Sequence, residues 1–425
     1  RYYNIFFLLL GIFLFPLPSS AQEAGYSITP IANNLYVPWS MVLTDDDRML
    51  VSQRNGTIME ITRTNEEWQQ RTYYTVRDTE QRSEAGSPRF DESGEAGLMG
   101  LAIHPNYEQN RFVYAMYAYD GDGGLAARVV RFRDTDSSLE FDKTIVDNLP
   151  CASNHCGGRI AFGPDDQLFI SVGDAQNAKL AQDSSALNGK ILRVTDEGNT
   201  SENNPFGDLF AYSMGHRNVQ GLTWHPETGV FIATEHGPSG IDGLGGGDEI
   251  NVIEPGGNYG WPTVSHRETS QEFISPAYLF SPDGPPAVAP ASAHIVQSPH
   301  HPWYGDLLIG GLYEGDILRC TLDYQAVTSC ENLGLAVGRI RDIAENKDGE
   351  LFFSTSNRDG RSTKSGKMQN DSDDRVYQLR VEENSSGELV TPRSEEEQPE
   401  RTWFQKLIQF FITPLSKVMG RLKRI

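Results

Sequence analysis

Phe162-Gly163-Pro164-Asp165-Asp166-Gln167-Leu168-Phe169-Ile170 is a tight turn followed by a short apolar run. Proline presets φ and aspartate closes local hydrogen bonds, so Gly-Pro-Asp-Asp is turn chemistry, and the Leu-Phe-Ile run suits a buried strand. The same grammar recurs at Leu43-Thr44-Asp45-Asp46-Asp47-Arg48-Met49-Leu50-Val51 and at His104-Pro105-Asn106 running to Phe112-Val113-Tyr114. It returns at His225-Pro226-Glu227-Thr228-Gly229-Val230-Phe231-Ile232, His301-Pro302-Trp303-Tyr304-Gly305-Asp306-Leu307-Leu308-Ile309 and Asn346-Lys347-Asp348-Gly349-Glu350-Leu351-Phe352-Phe353. Six copies spaced by roughly 45 to 75 residues suit four-stranded blades with one such turn each. The expected fold is all-β, a six-bladed β-propeller with four-stranded blades. Generic hairpin grammar leaves a β-sandwich array as the rival.

Composition agrees with many short strands. The chain has 425 residues with 41 glycines, 23 prolines and 38% hydrophobic residues, which argues against a long helical bundle. A formal net charge of -22 would repel the phosphates of nucleic acid, and that partner class is excluded. A neutral polyol meets no such penalty.

The chain ends read differently from its middle. An apolar run over residues 5–17 followed by Pro18-Ser19-Ser20-Ala21 has the layout of a secretory leader, with cleavage expected after Ala21 and an uncleaved anchor as the alternative. The propeller domain is expected over 25–381. Residues 382–400 carry seven glutamates against one arginine, the composition of a solvated acidic linker. Residues 401–425 carry six basic residues and no acid, with Phe404, Leu407, Ile408, Phe411, Leu415, Val418, Leu422 and Ile425 at helical spacing. This predicts a C-terminal basic amphipathic helix, kinked at Pro414, that either contacts a membrane surface or docks on protein. Export places the four cysteines in an oxidising compartment. Three pairings are formally possible. Cys320 and Cys330 flank an expected hairpin and Cys151 and Cys156 bracket a tight loop, so local pairing is expected. A zinc site at Cys151, Cys156 and His155 lacks a matching second pair.

Chemistry-bearing residues gather in a few loops. Cys151-Ala152-Ser153-Asn154-His155-Cys156-Gly157-Gly158-Arg159 places a histidine in a glycine-rich turn, where backbone can approach a ligand. A loop histidine is more often a structural hydrogen-bonder than a base. Gly215-His216-Arg217-Asn218 and Glu235-His236-Gly237-Pro238 follow, then Gly247-Asp248-Glu249. Asp248 and Glu249 are hard oxygen ligands of the kind calcium prefers, or a plain surface acidic pair. In Gly338-Arg339-Ile340-Arg341-Asp342, residues two apart on a strand share a face, so two guanidinium forks would stand side by side for a polycarboxylate. Ladder charges paired with acids on a neighbouring strand would read the same way.

Together the series Pro38-Trp39-Ser40, Gly94-Glu95-Ala96-Gly97-Leu98 with His104-Pro105, His155 to Arg159, Gly215 to Leu222, Glu235 to Pro238, Gly247 to Ile250, Asn258-Tyr259-Gly260-Trp261-Pro262 and Gly338 to Asp342 resembles the glucose/sorbosone dehydrogenase family. The resemblance covers roughly residues 28 to 380. It implies an exported propeller that holds pyrroloquinoline quinone (PQQ) and calcium and oxidises the anomeric hydroxyl of aldoses to lactones, passing electrons to an unidentified acceptor. By motif, His155 matches the catalytic base and Arg217 with Asn218 the pair that polarises the quinone oxygens. Arg339 and Arg341 match the carboxylate clamp, and Glu95, Asn154 and His236 fall at cofactor-facing positions. The carbonyls of Gly237 and Pro238 match ligands of a bridging calcium, and Asp248, Glu249 and Tyr259 a second, structural calcium.

The sequence also departs from that pattern. A lysine expected near Gly310-Gly311-Leu312-Tyr313-Glu314-Gly315 is replaced by the Tyr313-Glu314 stretch, and Glu95 and His236 stand where glutamine is common. A lost cation and an added anion predict weaker or altered cofactor binding. A non-redox propeller binding carbohydrate or protein, and a calcium-dependent lactonase, are the rival functions. Paired arginines favour the dehydrogenase, since a neutral lactone needs no carboxylate clamp.

Overall fold

Each of the six repeated turns joins the first strand of a sheet to its second in the computed structural model, which describes residues 25–76, 89–361, 363–364 and 374–381. The first blade runs over residues 38–75, and blades II to V cover 98–150, 160–214, 219–279 and 290–332. Blade II also carries the short strand Arg89–Phe90. Blade VI takes its three inner strands from residues 340–381 and its outer strand from Tyr26–Ala32, which pairs antiparallel with Val376–Val381 from Tyr26↔Val381 to Ala32↔Val376. The two ends of the domain therefore close one ring. The architecture is the six-bladed, four-stranded propeller expected from the repeats.

The apolar run after each turn is the second strand of its blade. Leu168–Val172, Phe231–Glu235, Leu307–Gly311 and Leu351–Thr355 are buried at every position, because neighbouring blades cover both faces of such a strand. Outer strands such as Ala326–Asn332 lie mostly in solvent and lose that signature. Six apolar clusters fill the six blade junctions. At the junction of blades I and VI, Met49 and Ile61 meet Phe352 and Val376; at that of blades III and IV, Phe169 and Ile191 meet Phe231 and Val219.

Both expected disulfides are present, Cys151–Cys156 and Cys320–Cys330. The second ties directly opposed positions of the last two strands of blade V. The leader over 1–21, the acidic linker over 382–400 and the helix over 401–425 lie outside the described residues. Among the described residues no helix is long and apolar enough to cross a membrane.

Candidate active site

All inner strands start at the same end of the ring, where the loops entering them meet the loops joining second to third strands. There the loops enclose a chamber of about 690 Å³ walled by His155, Asp174, Arg217, Asn218, His236 and Arg339, among others. A smaller recess that shares Glu95, His236 and Arg361 with the chamber is lined also by Trp39, Gln220 and Arg341.

His155 is held from two sides. Its backbone sits in the left-handed region at φ 62°, and its N–H donates to Glu95 Oε2 at 3.0 Å. Its ring Nδ1 lies 2.8 Å from Asp174 Oδ1. Asp174 is itself fixed, because Oδ2 accepts the Trp261 indole N–H at 2.9 Å and Oδ1 the Gln176 N–H at 2.8 Å. A carboxylate only accepts, so Nδ1 carries a proton, and in the neutral ring the lone pair lies on Nε2. Gly157, at φ 74°, follows immediately; a Cβ there would lie 2.5 Å from the Ser171 carbonyl oxygen.

The loop carrying Asp174 returns to blade III through Lys190. This lysine is fully buried, and its ammonium donates to the carbonyls of Leu180 at 3.1 Å, Ala181 at 3.0 Å and Asn188 at 2.7 Å. Burial lowers its pKa to about 8, against the pull of Asp183.

The cations of the chamber are unevenly satisfied. Arg217 donates from Nε to Asp242 at 2.7 Å and from Nη1 to the His236 carbonyl at 3.3 Å, while Nη2 is buried without a partner. Arg341 reaches Gln220 Oε1 at 3.2 Å, its Nε is buried without a partner, and burial pushes its pKa down to about 9. His236 has an unpartnered buried Nε2, and burial brings it down to about 4 against the charges of Asp248 and Glu95, so it is neutral at neutral pH. Arg339 pairs with Asp359 at 2.9 Å and donates to the Leu312 carbonyl at 3.1 Å. Asn218 uses Oδ1 to hold the Gly157 N–H at 3.1 Å, which leaves its amide nitrogen for a ligand. Buried donors without acceptors are costly, and their convergence here fits an acceptor-rich anion.

Sharing of a strand face by Arg339 and Arg341 needs correction. Arg339 precedes the strand Ile340–Glu345, and the register shifts between Ile340 and Asp342, so Arg341 sits at a bulge. The two side chains line different cavities, Arg339 the wide chamber and Arg341 the recess.

A model of the glucose/sorbosone dehydrogenase family matches residues 35–364. The chain belongs to this family. The aldose sugar dehydrogenase YliI of Escherichia coli is 28% identical over 80% of this chain and 92% of its own. Quinoprotein glucose dehydrogenase B of Acinetobacter calcoaceticus is 26% identical over 58% of this chain and 54% of that protein. The structure of the PQQ-bound aldose sugar dehydrogenase of Streptomyces coelicolor superposes with a TM-score of 0.70, at 31% identity, over 84% of this chain and 99% of that one.

Within this family member, the residues expected to hold calcium fall into two groups. Asp248 accepts three backbone N–H groups, from Gly237 at 2.9 Å, Val288 at 2.7 Å and Ala289 at 2.8 Å, so it clamps loops together. Glu249 opens the strand Glu249–Val252 and instead meets Asn251 Nδ2 at 3.0 Å, beside Glu235. The expected Asp248–Glu249 pair is thus not one ligand set. Burial, with the neighbouring Glu235, pushes the Glu249 carboxyl up to about 8, and Asn251 Oδ1 is buried without a partner. The Tyr259 hydroxyl donates to the Val252 carbonyl at 2.6 Å and is occupied. Gly237 and Pro238 line the chamber. Among the described residues no group of three or more His, Cys, Asp or Glu side chains is arranged for a metal.

Sequence reading missed Asp174, although it lies two residues beyond the second strand of blade III, in the loop after the repeat. It also missed Arg361, which pairs with Glu95 at 2.7 Å and donates to Asn154 Oδ1 at 3.2 Å. Burial would raise the Glu95 pKa, but Arg361, His236 and the His155 N–H outweigh it and hold it at about 2. Glu314 is likewise paired, with Lys364 at 3.1 Å, and the Lys364 N–H donates to the Tyr313 carbonyl at 2.7 Å. The anions flagged as obstacles to cofactor binding both carry their own cations.

Proposed function

We propose that this protein is an exported PQQ-dependent aldose dehydrogenase that converts the anomeric hydroxyl of sugars to the lactone. The observation that carries the reading is the His155 imidazole, its Nδ1 bonded to Asp174, lining a chamber where Arg217 Nη2 has no protein acceptor, with Arg341 Nε unpartnered in the adjoining recess. When bound, PQQ supplies the hydride acceptor, a role no amino-acid side chain fills. Arg341, Arg339 and Arg217 would hold its carboxylates and quinone oxygens, with Asn218 contributing an amide N–H.

His155 takes the proton of the anomeric hydroxyl as the carbon gives up hydride, and Asp174 stabilises the imidazolium that results. Trp261 keeps Asp174 aligned. The Cys151–Cys156 bridge and Glu95 keep the His155 backbone in place. Calcium would be held by Glu249 with the unpartnered Asn251 Oδ1, and a second calcium by the carbonyls of Gly237 and Pro238, both donor types suited to a hard cation. Sugar is the small-molecule partner; the electron acceptor and the contact of 401–425 with a membrane surface complete the proposal.

The test is reconstitution of purified protein with PQQ and calcium, followed by dye reduction with a panel of aldoses. Saturable PQQ binding and sugar-dependent reduction are expected. Absence of PQQ binding would sink the reading and leave a carbohydrate-binding propeller.

A further inference from the structure

Glu95 and Glu314 receive their cations from one short stretch, residues 359–364, which leaves blade VI after the turn Asn357–Asp359. Asp359 in that stretch pairs with Arg339, Arg361 with Glu95 and Asn154, and Lys364 with Glu314. One segment thereby reaches the loops that enter blades II and III and the loop at 312–314 of blade V.

The Glu95–Arg361 pair is asymmetric. Both Glu95 oxygens are in use, Oε2 on the His155 N–H and Oε1 on Arg361, and its side chain is 24% exposed. Arg361 is 47% exposed, lines the chamber beside Arg339, and uses only two of its five guanidinium N–H donors on Glu95 and Asn154. Three guanidinium N–H donors are thereby left without a protein acceptor on a residue that lines the chamber. A fixed, half-solvated guanidinium fork beside a base is suited to bidentate capture of a carboxylate.

Resting on the reading of this chamber as the cofactor and sugar site, we infer that Arg361 is a further carboxylate-binding residue of the chamber. Glu95 is the counter-ion that holds it near His155. The carboxylate belongs either to the cofactor or to a uronic acid substrate.

Calorimetric titration of wild type, Arg361→Gln, Arg361→Lys and Glu95→Gln with PQQ, D-glucuronate and D-glucose tests this. Arg361→Gln should weaken binding of the carboxylate ligand by about tenfold or more, the worth of one charge-assisted contact, and leave glucose unchanged. Arg361→Lys should recover part of the loss. Glu95→Gln should tighten binding, because its amide oxygen still accepts the His155 N–H while the competing anion is gone. A loss confined to PQQ identifies the cofactor as the source, and a loss confined to glucuronate the substrate. Arg361→Gln binding both carboxylates as wild type overturns the inference, as does equal weakening by Arg361→Gln and Glu95→Gln, the mark of a purely structural pair. Wild type that binds glucuronate but no PQQ overturns the proposed function, and the glucuronate titrations then decide on Arg361 alone. Wild type that binds neither overturns both.

Discussion

Asp174 Oδ1 stands 2.8 Å from His155 Nδ1, across the gap between the loop entering blade III and the loop leaving its second strand. That contact decides which ring nitrogen is basic. Asp174→Asn keeps the shape but removes the charge and lets an amide donate to Nδ1, so kcat should fall by about 10³ to 10⁴, as for loss of an orienting carboxylate in other bases. PQQ affinity should stay within about twofold, a binding change too small to explain that loss. His155→Ala should abolish turnover with cofactor uptake intact; retained turnover would remove His155 as base.

Lys190→Met removes an ammonium donor from three carbonyls, but Leu180 keeps the Asp183 N–H and Ala181 the Gly215 N–H, so only the Asn188 carbonyl is left without a donor. One unsatisfied buried acceptor is expected to cost about 1 to 3 kcal/mol in urea unfolding. Wild-type stability in this variant would mean the Asn188 carbonyl finds water.

Glu95 gives a pH signature. Its carboxyl is held at about 2 in the fold, below the value near 4.3 of an unfolded glutamate. A depressed acid stabilises the fold above its unfolded pKa, and that contribution is lost as pH falls from there toward 2. Glu95→Gln should therefore show a flatter decline of the urea midpoint between about pH 4.3 and 2 than wild type. Parallel curves would contradict the pairing with Arg361.

Calcium should raise Tm through the folded state alone, by the equivalent of about 2.7 kcal/mol at a hundredfold excess over Kd. Glu249→Gln should remove the share of that response supplied by its own calcium and leave the share from the calcium at Gly237 and Pro238. Asp248→Asn should lower Tm with or without calcium, because its oxygens hold the Gly237, Val288 and Ala289 N–H groups.

The two disulfides should separate function from stability. Opening Cys151–Cys156 by a double alanine substitution should lower kcat, since the bridge encloses His155, whereas opening Cys320–Cys330 on the outer strands of blade V should leave kcat unchanged. Equal effects on kcat would deny the first bridge its role at the base.

The sequence by itself determined the ring. Turn residues and the apolar second strand are local, and a strand covered on both faces must be apolar throughout, so Leu168–Val172 and Leu351–Thr355 announce their blades. Motif order likewise carried His155, Arg217, Asn218 and Arg339 to the chamber and Arg341 to the recess, because each loop's place in the ring follows from its place in the chain. Tertiary structure alone decided which charges meet. Asp248 and Glu249 are neighbours in sequence yet serve different partners. Glu95 and Arg361, 266 residues apart, form one ion pair. A propeller brings all its loops to one axis, so the field at His155 is a sum over blades, and an anion that looks unbalanced in its own loop is neutralised from across the ring.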